Sequence, residues 1–132
     1  DEFRWGFASS VAKQRGAWLV GTRNATEAQL GTFSVASSLP TVQPLLRWWK
    51  GDVMAVAEAV GVPSDVIASS RHADPECGRP AEMAAVGLEK VDWYAQCHWS
   101  GQLWRLEDQL SAEEVQYLDE VSHHVCVCLR AV

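Results

Sequence analysis

Residues 20–33, VGTRNATEAQLGTF, decide how the chain is read, because an apolar run stops there and a polar turn begins. The run before the break, AWLVG (17–21), is short and follows a glycine, as expected of a buried parallel strand. After it, Asn24 stands where a helix N-cap belongs. Glu27, three residues on, completes a capping-box pattern for a short helix ending near Gly31. A strand that ends in Gly-Thr and turns into a helix places backbone N–H groups and a hydroxyl at the carboxyl edge of a sheet. That is where open α/β sheets bind ligands, and a helix start favours anions such as phosphate. Glu27 therefore has two readings. It completes the capping box with Asn24, or its carboxylate holds a magnesium ion that carries phosphates.

Outward from this stretch, residues 3–15 place Phe3, Phe7, Val11 and Ala12 near helical spacing, without a visible N-cap. The Ser/Thr/Pro-rich stretch 34–44 reads as loop. GDVMAVAEAVG (51–61) reads as a helix capped by Asp52, with Val53, Val56, Ala57 and Val60 on one face and Gly61 as its stop. A short helix follows from Ser64 or Asp65, then a loop over 71–87 carrying two prolines and two glycines. LEKVDWYAQC (88–97) reads as helical. In 110–129, Ser111 and Glu114 form a second capping box ahead of Val115, Leu118 and Val121. A lone parallel strand cannot satisfy its backbone, so other strands must hide in the loops or come from elsewhere.

The chain has 132 residues, 48% apolar and 21% charged, which fits one globular domain over 1–132. A net charge of −6 disfavours a nucleic-acid partner, which calls for clustered Lys and Arg. No run reaches the length of a membrane span and the start lacks a signal-peptide pattern, so a cytoplasmic protein with no membrane partner is expected. Seven tryptophans imply much aromatic surface, in the core or against a partner. The four cysteines, with His72, His98, His123 and His124, do not fall at zinc-finger or ribbon spacing. Reduced, mostly buried thiols are expected instead.

VGTRNATEAQLGTF resembles the V-G-T-x-N-x-S/T-E-x-x-x-G-x-F segment of ammonia-dependent NAD synthetases, of the N-type ATP pyrophosphatase group. The resemblance continues in order through PLLRWWKGDVMAVAEAVGVPSDVIASSRHADPE (44–76), VGLEKVDWYAQC and SAEEVQYLDEVSHH. It implies an α/β, helix-rich chain: part of an adenine-nucleotide-hydrolase-like, Rossmann-like layer fold without its N-terminal phosphate-loop half. It also implies ATP and Mg²⁺ as cofactors, a dinucleotide substrate, and a ligase that adenylates the carboxylate of deamido-NAD before ammonia forms the amide. By position, Thr22 and Lys50 would contact ATP and Glu27 would ligate magnesium. Without the resemblance, Lys50 reads as a surface lysine ahead of a helix.

Several positions depart from the family. Its S-G-G-x-D-S phosphate signature has no counterpart here, so a complementary N-terminal half or subunit is implied as a partner. The isolated chain is then expected to be inactive. The acidic glycine-rich loop is replaced around Ser37-Ser38. The mobile-loop Ser or Thr becomes His72, either a phosphate donor or a solvated histidine, and the terminal His-Lys becomes His123-His124. The resemblance further implies a homo-oligomer. These departures leave open a non-catalytic interaction domain, or a related ligase amidating a different acid.

Overall fold

The computed structural model describes residues 2–30, 40–71 and 86–130, with side chains described as far as Ser122. Among the described residues six α-helices run in chain order: α1 (Glu2–Gln14), α2 (Ala25–Leu30), α3 (Lys50–Ala59), α4 (Ser64–Ser70), α5 (Leu88–Ser100) and α6 (Ala112–Arg130). A 3₁₀ helix, Leu103–Asp108, links α5 to α6 and was not legible in the sequence. Among the described residues no helix is long and apolar enough to cross a membrane.

The expected strand shrinks to a single parallel bridge between Val20 and Val42. Gly21 donates its N–H to the Val42 carbonyl at 2.8 Å, and Val42 donates to the Leu19 carbonyl at 3.3 Å. The bridge partner thus comes from the stretch read as loop. The burial expected for 17–21 is corrected: Trp18 and Val20 are exposed, and Gly21 is the buried residue of the run. An apolar strand is buried only when neighbouring strands or helices cover it, and two paired backbones do not.

α5 is the hub, packing against α2, α3, the 3₁₀ helix and α6. Its buried side chains Val91, Tyr94 and Cys97 join Leu30, Val86, Leu106, Leu110 and Leu118 in one core. Burial pushes the Cys97 thiol up from its ordinary value and keeps it protonated. Of the other cysteines, Cys77 lies outside the described residues, and the side chains of Cys126 and Cys128 do so as well.

α6 begins on the expected capping box. The Glu114 N–H donates to Ser111 Oγ at 3.2 Å, and the Ser111 N–H donates to Glu114 Oε2 at 2.9 Å. Lys90 of α5 reaches Glu114 Oε1 at 2.6 Å, and with the Ser111 N–H it holds that carboxyl below its usual range.

α3 differs from its sequence reading in two respects. Asp52 lies in the first turn and is exposed, so it does not cap the helix. The side chain that faces the core is Met54, whereas Val56 and Val60 of the expected apolar face are exposed. Gly61 ends the helix as expected, with φ +79 and its N–H on the Glu58 carbonyl at 3.1 Å.

Between α5 and α6, the buried Tyr94 hydroxyl donates to Asp119 Oδ1 at 2.6 Å. Burial first, then the Asp119 carboxylate, pushes the tyrosine up to about 12 from 10.0. The unfolded chain ionises near 10 while the folded chain resists, so this contribution is intact below pH 10 and is lost as pH rises through the folded value. Tyr94→Phe should therefore flatten the stability loss between pH 10 and 12, measured by urea melts across that window.

Candidate functional site

One local structure and a set of tertiary contacts bring the candidate residues together. Asn24 and Glu27 form the reciprocal capping box of α2. The Glu27 N–H donates to Asn24 Oδ1 at 2.9 Å, and the Asn24 N–H donates to Glu27 Oε2 at 3.3 Å. Asn24 is buried, and such a cap contributes about 1 kcal/mol to its helix. The capping box uses one oxygen of Glu27. The other, Oε1, lies 3.8 Å from the Lys50 ammonium, with both side chains about one quarter exposed (28% and 23%). The two readings of Glu27 are therefore compatible, since the capping bond occupies Oε2 and leaves Oε1 to the Lys50 ammonium.

Lys50 arrives there by tertiary contacts rather than local sequence. The Ala25 N–H donates to the Trp48 carbonyl at 2.8 Å, laying the segment before α3 against the start of α2. One residue further along α2 and two beyond Trp48, the Lys50 N–H donates to Thr26 Oγ1 at 2.8 Å. The Thr26 hydroxyl donates to Asp92 Oδ1 at 2.5 Å, and the Gly51 N–H donates to Asp92 Oδ2 at 2.7 Å.

Asp92 and Thr26 are both buried and were not singled out from the sequence. The available hint was a charged residue in the middle of the apolar face of LEKVDWYAQC, a position that needs donors around it. Desolvation raises the Asp92 carboxyl above its ordinary value, against the opposing pull of the Thr26 hydroxyl and the Gly51 N–H. Gly51 allows the close approach, because a Cβ there would sit 3.0 Å from Asp92 Oδ2.

Of the sequence candidates, Glu27 and Lys50 converge. Thr22 is exposed on the link between the Val20 bridge and α2. His72 lies outside the described residues, as do Ser37 and Ser38. Among the described residues no three His, Cys, Asp or Glu side chains gather as metal ligands. A shallow groove of about 420 Å³ on α3 is lined by Arg47, Trp48, Asp52, Ala55 and Val56. Glu27 and Lys50 thus meet as a partly exposed carboxylate–ammonium pair at 3.8 Å.

No family model matches the chain, and no curated protein does. Among solved structures it is similar to the NMN synthetase from Francisella tularensis, with 19% sequence identity and a TM-score of 0.68. The superposition covers 93% of this chain and 48% of that one, so the chain spans about half the length of its structural neighbour. At this identity the likeness establishes a shared helix-rich fold.

Proposed function

We propose that this chain supplies part of the nucleotide site of an ATP-dependent, amide-forming ligase of NAD synthetase type. The observation that carries this reading is the convergence of Glu27 Oε1 and the Lys50 ammonium at 3.8 Å. Nothing in their local sequence requires that meeting, and both residues match the order of the resemblance. The neighbour's fold supports the lineage, and its greater length supports a complementary phosphate-loop half, as further chain or as a separate subunit. A Rossmann-like layer arrangement, completed around the Val20–Val42 bridge, belongs to the same proposal, as do a homo-oligomer and a cytoplasmic setting.

In this reading the substrate carboxylate oxygen attacks the α-phosphorus of ATP and pyrophosphate leaves. Ammonia then attacks the acyl carbon, the C–O bond to the phosphate-bearing oxygen breaks so that AMP leaves with the former carboxylate oxygen, and the nitrogen gives up one proton to become the amide. The Lys50 ammonium neutralises phosphate charge as pyrophosphate departs. Thr22 Oγ, exposed at the carboxyl end of the bridge, donates to a phosphate oxygen, and His72 is a further donor. Glu27 Oε1 suits Mg²⁺, which is commonly held by one or two carboxylates together with substrate phosphates. When bound, the ion neutralises phosphate charge.

The neighbour is named for NMN, a mononucleotide, which favours the variant in which the amidated acid is not deamido-NAD. A non-catalytic interaction domain is the alternative favoured by a different observation: all seven tryptophans are exposed or half-exposed.

Calorimetric titration of the chain with Mg²⁺-ATP, and separately with deamido-NAD, distinguishes these readings. The expected result is saturable Mg²⁺-ATP binding that Glu27→Ala weakens by about tenfold or more, equivalent to 1.4 kcal/mol or more. A folded chain giving no heat with either ligand sinks the part-site reading and leaves the interaction domain.

A further inference from the structure

We propose that Asp92 and Thr26 are positioning residues for the Lys50 side chain, a role that rests on the nucleotide-site reading above. α3 is not capped by its own sequence: Trp49, in the N-cap position, makes no side-chain cap bond. Its first two amide hydrogens are met from two other helices, Lys50 N–H by Thr26 of α2 and Gly51 N–H by Asp92 of α5.

The hydrogens are fully accounted for. Thr26 has one hydroxyl hydrogen and gives it to Asp92, so its lone pair is what receives the Lys50 N–H. Asp92 accepts on both oxygens and donates nothing, as a carboxylate does. Thr26 and Glu27 are adjacent on α2, and Lys50 and Gly51 are adjacent on α3. The buried Thr26 and the half-buried Gly51 tie the two helices together through Asp92. Glu27 and Lys50 present the opposite charges at the half-buried edge.

The separation of ammonium and carboxylate is therefore set by hydrogen bonds with fixed directions. Apolar packing alone would let α3 slide or turn against α2, and stability does not require a buried carboxylate at such a contact. A shift of about 1 Å in a positioning group is enough to cost orders of magnitude in activity.

The test pairs Thr26→Ser, which keeps the hydroxyl, with Thr26→Val, which keeps the shape and removes it. Each is titrated with Mg²⁺-ATP at a temperature where circular dichroism shows it fully folded. Thr26→Ser should bind within about twofold of wild type, and Thr26→Val about tenfold more weakly, with the Lys50 and Gly51 amide resonances moved in the valine variant only. A folded Thr26→Val that binds Mg²⁺-ATP like wild type overturns the proposal, whatever its melting temperature.

If wild type itself binds no Mg²⁺-ATP, the nucleotide reading falls and takes this role with it. The amide shifts then still report whether the hydrogen-bonded clamp is formed, so the two failures are distinguishable. Should Thr26→Val not fold, Asp92→Asn carries the same test. It keeps the volume but turns an NH₂ toward one of the two donors, and undiminished Mg²⁺-ATP affinity in that variant likewise overturns the proposal.

Discussion

Leu118→Ala should lower the unfolding free energy by about 2–5 kcal/mol, the range for truncating a leucine in a core that relaxes incompletely. Leu118 is 0% exposed and belongs to the cluster formed by α5, the 3₁₀ helix and α6. Its neighbours are held from several directions, which limits collapse into the space. Tyr94 is fixed by Asp119, and Trp93, packed on the same cluster, donates its indole N–H to the Arg105 carbonyl at 3.1 Å. Leu118→Met, which nearly conserves volume, should cost under about 1.5 kcal/mol. Urea melts of the three proteins give the comparison. A loss below about 1 kcal/mol for the alanine variant would mean that α6 is not packed as described.

Asp92→Ala is expected to cost about 2–4 kcal/mol, because it strands the buried Thr26 hydroxyl and the part-buried Gly51 N–H at roughly 1–3 kcal/mol for each unmet group. Part of that loss is returned, since the variant no longer buries a carboxylate. The balance shifts with pH in a defined direction. The folded chain raises this carboxyl above 3.8, so it holds the proton more tightly than the unfolded chain does.

The associated stability is therefore present below pH 3.8 and lost as pH rises through the folded value. Wild type should lose ground to Asp92→Asn over that interval. Glu114, whose carboxyl is lowered, runs the other way, but it is common to both proteins and cancels in the difference. Urea melts of the pair at several pH values check the sign. A difference that grows in favour of wild type as pH rises would mean that hydrogen bonding outweighs burial at Asp92.

What could be read from sequence was local. The Asn24–Glu27 and Ser111–Glu114 boxes, the presence and start of α5 and α6, and the stop at Gly61 all depend on residues within a few positions of one another. The failures depend on distance along the chain. Asp52 was a reasonable cap for α3 by spacing, but the caps came from Thr26 and Asp92, residues that no local pattern associates with Lys50. The AWLVG run was read as buried because apolar strands usually are, yet burial belongs to whatever covers a strand. At the site, spacing revealed the cap at Glu27. The meeting with Lys50 was suggested only by the family resemblance, since the 22 intervening positions carry no periodic signal linking the two.

The placement of the seven tryptophans has an optical consequence. Trp18, Trp48, Trp99 and Trp104 are exposed, and Trp5, Trp49 and Trp93 are half-buried, so none sits in the core. Indoles already in contact with water change their surroundings little when the chain unfolds. The four exposed indoles consequently emit much as they do in the denatured chain, and the fluorescence change on unfolding falls mainly to the half-buried ones, Trp93 on the core cluster among them. The exposed indoles would respond strongly when a second surface covered them, with a blue shift and protection from a soluble quencher. The chain carries its own reporter of assembly in its four exposed indoles, which respond little to folding.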